Sequence, residues 1–127
     1  MIRTIEWKNG RVRMIDQRLL PGEEIYREYK DYEEVAQAIE TMVIRGAPAI
    51  GVAAAMGIAL GMQSIKSNPD QHFAQICDRL SKTRPTAVNL FWAIERMKRV
   101  YAELKGLPLE EIQGQLILEI IFGSRSL

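Results

Sequence analysis

A short run, Arg45-Gly46-Ala47-Pro48, places an arginine and a glycine just before the start of a predicted helix. Proline is favoured at the first helical position, where its missing amide is not needed. Gly46 permits a positive φ angle or a close backbone approach. The amides of Gly46, Ala47 and the first helical turn therefore lack intrahelical partners, and with Arg45 beside them they can bind an anion. A tight corner between two helices explains the same residues, and the sequence alone leaves both interpretations open.

A second run repeats this arrangement, because Arg84 and Pro85 precede another predicted helix. Thr86 and Asn89 add polar groups near its first turn. A charge-assisted bond from arginine to phosphate is worth about 1.5–3 kcal/mol when it is well placed. Two such helix starts in one short chain favour a phosphorylated ligand. The alternative is that both arginines lie on the surface beside helix caps.

Other reactive side chains give weaker signals. His72 lies in the first turn of a polar-flanked helix and is interpreted as a surface residue. Cys77 lies on an apolar helical face and is interpreted as a small core residue. The sequence contains no Walker loop, no His or Cys pair at metal-ligand spacing and no Gly-x-Ser-x-Gly. The usual signatures of nucleotide binding, metal binding and serine-based hydrolysis are therefore missing from the sequence.

Charge and composition narrow the function classes. Lys and Arg total 17 and Asp and Glu total 16, so there is no basic excess of the kind that binds nucleic acid. The single cysteine excludes a disulfide within the chain and fits a reducing compartment. The N-terminus is not a signal peptide, and the apolar run 47–62 is shorter than the ~20 residues that span a bilayer. These features predict a cytoplasmic protein with neither nucleic-acid nor membrane partners.

The first thirty residues have the pattern of a small antiparallel sheet. Alternating residues from Ile2 lead to Asn9-Gly10, a strong signal for a two-residue hairpin turn. A return strand is predicted over 12–19, and Pro21-Gly22 makes a second turn. A third strand is possible over 25–30. This N-terminal region, 1–30, is therefore predicted to contain a hairpin and a possible third strand.

The spacing of apolar residues then becomes helical. Asp31 and Glu34 form a capping-box pattern for a first helix that should end near Arg45-Gly46. Further helices are predicted over 48–63, from Asn68-Pro69, over 90–104 and over 109–121. Gly57 and Gly61, four residues apart, predict tight helix packing. The predicted fold class is α+β: one domain over 1–127, with the sheet followed by a helical bundle over 31–122.

The two arginine-containing segments resemble the methylthioribose-1-phosphate isomerase family. That family carries runs similar to Met42–Gly51 and Arg84–Leu90, in the same order and spacing. Its first residues resemble Thr4–Trp7, Asp16-Gln17 and Leu19–Pro21. The family is related to the alpha, beta and delta subunits of translation initiation factor 2B and to ribose-1,5-bisphosphate isomerase. The resemblance covers nearly all of this chain but about the first third of a family member.

The resemblance implies an aldose-to-ketose isomerisation in methionine salvage. The substrate would be 5-methylthioribose 1-phosphate and the product 5-methylthioribulose 1-phosphate, formed without a metal or nucleotide cofactor. By resemblance, Arg45 and Arg84 match substrate-contacting positions, and Gly46 and Ala47 match the backbone beside the phosphate. The family's catalytic cysteine and aspartate belong to a Rossmann-like lobe that is absent here, and Cys77 does not match that cysteine. No catalytic residue is therefore expected in this chain, which is predicted to be inactive alone.

The end of the chain departs from the family pattern over an aberrant tail, residues 117–127. A domain without the rest of the enzyme would expose apolar surface, which predicts a homo-oligomer with 116–118 and 120–122 as a contact. The missing lobe would be supplied in cis or in trans. The alternative function is a non-catalytic regulatory or assembly module like the N-terminal helical domain of an initiation factor 2B subunit.

Overall fold

The computed structural model describes residues 4–122 and confirms the α+β fold class. The strands are β1 (Ile5–Lys8), β2 (Arg11–Ile15) and β3 (Tyr26–Tyr29). The helices are α1 (Tyr32–Glu40), α2 (Ala47–Gln63), α3 (Pro69–Ser81), α4 (Val88–Leu104) and α5 (Leu109–Phe122). Two parts of the sequence predictions lie outside the described residues: the start of the first strand at Ile2, and residues 123–127 of the tail.

The sheet is antiparallel in the order β1-β2-β3, so the predicted hairpin and third strand are both present. Asn9 and Gly10 have φ angles of 54° and 74°, as a two-residue turn between twisted strands requires. The return strand is shorter than predicted and ends at Ile15. The Asp16 side chain accepts a hydrogen bond from the Arg18 amide and starts a single 3₁₀ turn, Gln17–Leu19, which ends the strand.

Helix α1 begins as predicted but ends earlier. The Asp31 side chain accepts from the Glu34 amide at 2.9 Å. The predicted end near Arg45-Gly46 is wrong, because Met42 adopts a left-handed conformation with φ 64° and stops the helix after Glu40. The Val43 amide then donates to the carbonyl of Ala38 at 2.9 Å, which closes a Schellman motif. Six residues, 41–46, are thereby left between α1 and α2, and the last five of them, 42–46, form the link to α2.

Helix α2 is the centre of the core. Twelve of its seventeen residues are buried, and it packs against the other four helices and against β1 and β2. Its glycines allow these close contacts, which confirms the interpretation of Gly57 and Gly61 as packing residues. A Cβ atom on Gly57 would lie 3.1 Å from Val35 Cγ1 and 3.3 Å from a methyl group of Leu80. Across residues 4–122, no helix is both long enough and apolar enough to cross a membrane.

Replacing Gly61 with alanine should destabilise the protein. A Cβ atom there would lie 2.7 Å from Ile76 Cδ1 and 2.9 Å from Tyr32 Cδ1, so these two buried-face side chains of α3 and α1 would have to shift. We expect Gly61→Ala to lower the free energy of unfolding by about 1–3 kcal/mol, measured by urea denaturation. Gly114→Ala is the control, because nothing lies within 4 Å of its Cβ position and alanine favours a helix. Equal stability of the two variants would contradict this account of α2.

Candidate anion-binding site

The two predicted arginine-containing segments lead into helices whose starts lie side by side. Gly51, in the second turn of α2, approaches the first turns of α4. A Cβ atom on Gly51 would lie 3.1 Å from the Asn89 carbonyl oxygen and 3.6 Å from Ala93 Cβ. The absence of a side chain at Gly51 therefore brings together the N-terminal ends of α2 and α4, which are far apart in the sequence.

The N-terminal ends of α2 and α4 lack the compensation that the other helices have. Their N-cap residues, Gly46 and Ala87, make no side-chain capping bond, and neither helix has an acidic residue in its first turn. In contrast, α1, α3 and α5 each carry Asp or Glu in the first turn. Unsatisfied amides and the helix dipole make an uncompensated N-terminus electropositive. Two such ends meet at one place on the surface.

The link before α2 exposes Arg45, Gly46 and Ala47 to solvent. Gly46 has a φ angle of 98°, a conformation that L side chains rarely adopt, and no atom lies within 4 Å of where its Cβ would be. Within residues 4–122, the amides of Gly46 and Ala47 have no hydrogen-bond acceptor, and the Arg45 guanidinium makes no ion pair. Both amides and the arginine are therefore accessible to an anion from solvent.

Arg84 lies three residues before the N-cap Ala87 of α4, in a turn closed by the Ala87 amide and the Arg84 carbonyl, whereas Arg45 directly precedes its N-cap. The side chain of Arg84 is partly buried. Its guanidinium nitrogen Nη1 is buried yet has no hydrogen-bond partner in the described part of the chain. Buried polar atoms without a partner are rare in native proteins, and each calls for an explanation. The preceding residue is fixed, because the buried Thr83 hydroxyl donates to the Leu80 carbonyl at 2.6 Å. Arg84 thus starts from an ordered corner and carries unused hydrogen-bonding capacity.

A groove of about 560 Å³ runs from these helix starts along α2 and α4 to the end of α5. Pro48, Val52, Asn89, Trp92 and Ile121 are among the residues that line it. Trp92 is 63% exposed, and its position lies off the buried stripe of α4. Leu116, which was expected to be part of an oligomer contact, is instead fully buried, whereas Leu118, Ile121 and Phe122 are exposed.

The remaining reactive side chains lie elsewhere. Cys77 is buried in α3, and this burial raises the pKa of its thiol to about 12, so the thiolate needed of a nucleophile is scarce at neutral pH. In the stretch from residue 4 to residue 122, no three His, Cys, Asp or Glu side chains are grouped so that they could hold a metal ion.

Asp16 and Gln17 are site-supporting residues that sequence reasoning missed. Asp16 is fully buried, and its carboxylate accepts hydrogen bonds at 2.7 Å from Arg18 and from Arg27. The Gln17 side chain accepts from the Arg45 amide at 2.6 Å, across 28 positions of sequence. No local pattern signals this contact, because its two partners belong to different elements. The pair Asp16-Gln17 entered the sequence argument only through the family resemblance.

Acidification should weaken the fold through Asp16. Hydrogen bonds from the guanidinium of Arg18, and then of Arg27, hold the pKa of that carboxyl well below its ordinary range. The unfolded chain therefore binds a proton at Asp16 at a pH where the folded chain does not. The stabilisation from Asp16 is fully present above the unfolded pKa of about 4 and is lost as the pH falls toward the folded value.

We expect Asp16→Asn to be less stable than the wild type at pH 7, by roughly 1–3 kcal/mol, and to lose less stability on acidification. Urea denaturation at a series of pH values from 7 to 3 measures both effects. Asp78→Asn is the matched control, because the Asp78 side chain is 62% exposed. If the free energy of unfolding of Asp16→Asn and of Asp78→Asn changed with pH in the same way, the buried carboxylate would not be the source of the acid sensitivity.

Comparison with protein families shows that one family model spans both helix starts. The model described as the initiation factor 2 subunit family matches residues 43–121, which is more than half of the chain. The methylthioribose-1-phosphate isomerases of Geobacter metallireducens and Geobacter sulfurreducens are each 58% identical over 123 residues. In both cases the match covers 94% of this chain and 36% of the relative.

Two solved structures are also similar to this chain in both fold and sequence. The 5-methylthioribose 1-phosphate isomerase from Pyrococcus horikoshii OT3 has a TM-score of 0.90 at 44% identity, over 95% of this chain and 35% of that one. The translation initiation factor eIF-2B subunit delta from A. fulgidus has a TM-score of 0.85 at 38% identity, over 94% of this chain and 36% of that one. The chain spans about a third of the length of the relatives that it matches. The family match and the shared fold confirm the resemblance: this chain belongs to the initiation factor 2 subunit family.

Proposed function

We propose that this chain is the phosphate-anchoring part of a methylthioribose-1-phosphate isomerase, which converts 5-methylthioribose 1-phosphate to 5-methylthioribulose 1-phosphate. The observation that carries the proposal is the meeting of two uncapped, acid-free helix starts, each preceded by an arginine. Such a place favours a compact anion. The names of the relatives supply the kind of anion, because the two sugar-phosphate isomerases from Geobacter are 58% identical to this chain, whereas the initiation factor subunit is 38% identical.

The proposed contacts divide between backbone and side chain. The amides of Gly46 and Ala47 would donate to phosphate oxygens from the start of α2, with Arg45 beside them. Arg84 would approach from the start of α4, where its buried and unpartnered Nη1 has a hydrogen bond to give. Charge-assisted bonds from arginine to phosphate are among the stronger hydrogen bonds in proteins.

The chain's share of catalysis is binding and orientation. An aldose-to-ketose conversion moves protons between neighbouring carbon and oxygen atoms, which needs acid–base groups. Arginine stays protonated and backbone amides only donate, so neither can act as the base. The groups proposed here therefore hold the sugar phosphate still and offset its charge, while other parts of a whole enzyme supply the proton transfers. We accordingly propose that the 127-residue chain has no turnover by itself.

A chimera tests this proposal. The matching N-terminal third of the Geobacter metallireducens relative is replaced by this chain, and isomerisation of 5-methylthioribose 1-phosphate is measured. We expect an active chimera in which Arg45→Ala and Arg84→Ala each lower kcat/KM by about 10- to 100-fold, because each removes a charge-assisted bond to phosphate.

Arg11→Ala serves as the matched control, because Arg11 is an exposed arginine at the start of β2, on a different element. It should leave kcat/KM unchanged. A folded but inactive chimera, or an active one that tolerates both Arg45→Ala and Arg84→Ala, would contradict the proposal. Turnover by the chain alone would contradict the assignment of the proton transfers to other parts of the enzyme.

A second candidate is a non-catalytic regulatory or assembly module. It is favoured by the likeness to the A. fulgidus initiation factor subunit and by the exposed aromatic side chains Phe91 and Trp92 on α4. A module of this kind has no need of both arginines. It predicts that Arg45→Ala and Arg84→Ala leave assembly with initiation factor 2B subunits unchanged in sedimentation velocity. If no such assembly forms with the wild-type chain, this second candidate fails.

A further inference from the structure

The 3₁₀ turn after the sheet contacts the link between α1 and α2 through two groups of one residue. The Gln17 amide donates to the Val43 carbonyl at 2.8 Å. The Gln17 side-chain oxygen Oε1 accepts from the Arg45 amide at 2.6 Å. Both contacts span more than twenty positions of sequence, and together they fasten this link at two points.

The turn that carries Gln17 is itself fixed. The neighbouring Asp16 amide donates to the Ile25 carbonyl at 2.7 Å, and the Asp16 carboxylate is fully buried between the guanidinium groups of Arg18 and Arg27. Arg27 belongs to β3, so the turn is tied to the sheet. Gln17 therefore extends from a rigid base rather than from a loose loop.

The link needs such support because little else holds its last residues. Val43 is bonded back to Ala38, but from Arg45 onward the link is exposed, and no atom approaches the Cβ position of Gly46 within 4 Å. The Gly46 carbonyl accepts from the Ile50 amide at 3.0 Å, as the first hydrogen bond of α2. Among the described residues, the bond from Arg45 to Gln17 is the last one that ties the link to another element before α2 begins. It holds the Ile44–Arg45 peptide, from which the Arg45 side chain and the next amide, that of Gly46, extend.

We propose that Gln17 is a positioning residue for the anion-binding groups of Arg45, Gly46 and Ala47. The inference rests on the proposed function, because it assigns Gln17 to the same phosphate site without a contact of its own to the ligand. A fixed Arg45 peptide restricts the positions that the Arg45 guanidinium and the Gly46 amide can take. Pre-ordered groups bind more tightly because less conformational freedom is lost when the ligand arrives.

Two variants separate this role from general stability. Gln17→Met keeps the length of the side chain but removes the acceptor, whereas Gln17→Glu keeps an acceptor oxygen at the same position. Gln37→Met is the matched control, because the Gln37 side chain also makes one exposed hydrogen bond, to Glu33, but lies on α1 away from the link. Each variant of the 127-residue chain is labelled with ¹⁵N for NMR.

The first readout is hydrogen exchange of the Arg45 amide. We expect exchange to become about fivefold faster in Gln17→Met, to stay slow in Gln17→Glu, and to be unchanged in Gln37→Met. The second readout is titration with inorganic phosphate, followed at the Gly46 and Ala47 amides. Here the dissociation constant should rise about fivefold in Gln17→Met and stay the same in Gln37→Met.

The possible outcomes separate the positioning role of Gln17 from the phosphate site on which it rests. If phosphate changes the chemical shifts of the Gly46 and Ala47 amides, and binds more weakly to Gln17→Met than to the wild type, the result supports both the phosphate site and the role of Gln17. If the same chemical-shift changes occur but the wild type and Gln17→Met bind phosphate with equal affinity, the proposed role of Gln17 is wrong and the phosphate site still stands. No shifts at Gly46 or Ala47 in the wild type overturn the phosphate site, and the positioning role with it.

Discussion

The close packing of every other helix and of two strands against α2 is the constraint on which the rest of the structure depends. Neighbouring elements come closest to the backbone of this helix at the positions where its own residues are small. Gly51, Gly57 and Gly61 each mark a place where another element approaches within contact distance of the backbone. Protein interiors are packed as densely as organic crystals, so these approaches also fix the directions in which the neighbours run. The position of α4 beside the start of α2 follows from Gly51.

This packing also creates an electropositive place on the surface, at the N-terminal end of α2. The same glycine contact that joins α2 to α4 brings their N-terminal ends close together, and neither helix has a capping side chain or an acidic residue in its first turn. Elsewhere the protein does compensate its helix ends, as Asp31 shows for α1. The difference is meaningful because caps are worth about 1 kcal/mol each, and stability alone would favour them at every helix. Ligand binding is one reason to leave two ends uncompensated, since a capping oxygen would occupy the amides that an anion needs.

The family contains proteins named as sugar-phosphate isomerases and proteins named as initiation factor subunits, and both share this fold. Fold alone therefore does not decide the function. The features that favour a bound anion lie at the site: Arg45, the Gly46 and Ala47 amides, and Arg84 with its unpartnered nitrogen. A scaffold has no evident use for this combination. The involvement of these residues with a substrate stays a prediction, and so does a homo-oligomer. Of the residues predicted for its contact, Leu116 is buried, whereas Leu118, Ile121 and Phe122 are exposed.

By itself the sequence determined the elements whose causes are local. Asn9-Gly10 predicted the hairpin turn, Asp31 the start of α1, and apolar spacing the later helices, because turns, caps and amphipathic faces depend on residues a few positions apart. Tertiary structure decided the rest. It ended α1 at Glu40 through a left-handed methionine, a residue that gives no such signal. It also tied Gln17 to Arg45 and set the start of α2 beside that of α4. These features join residues dozens of positions apart, so they arise only when the chain packs around α2.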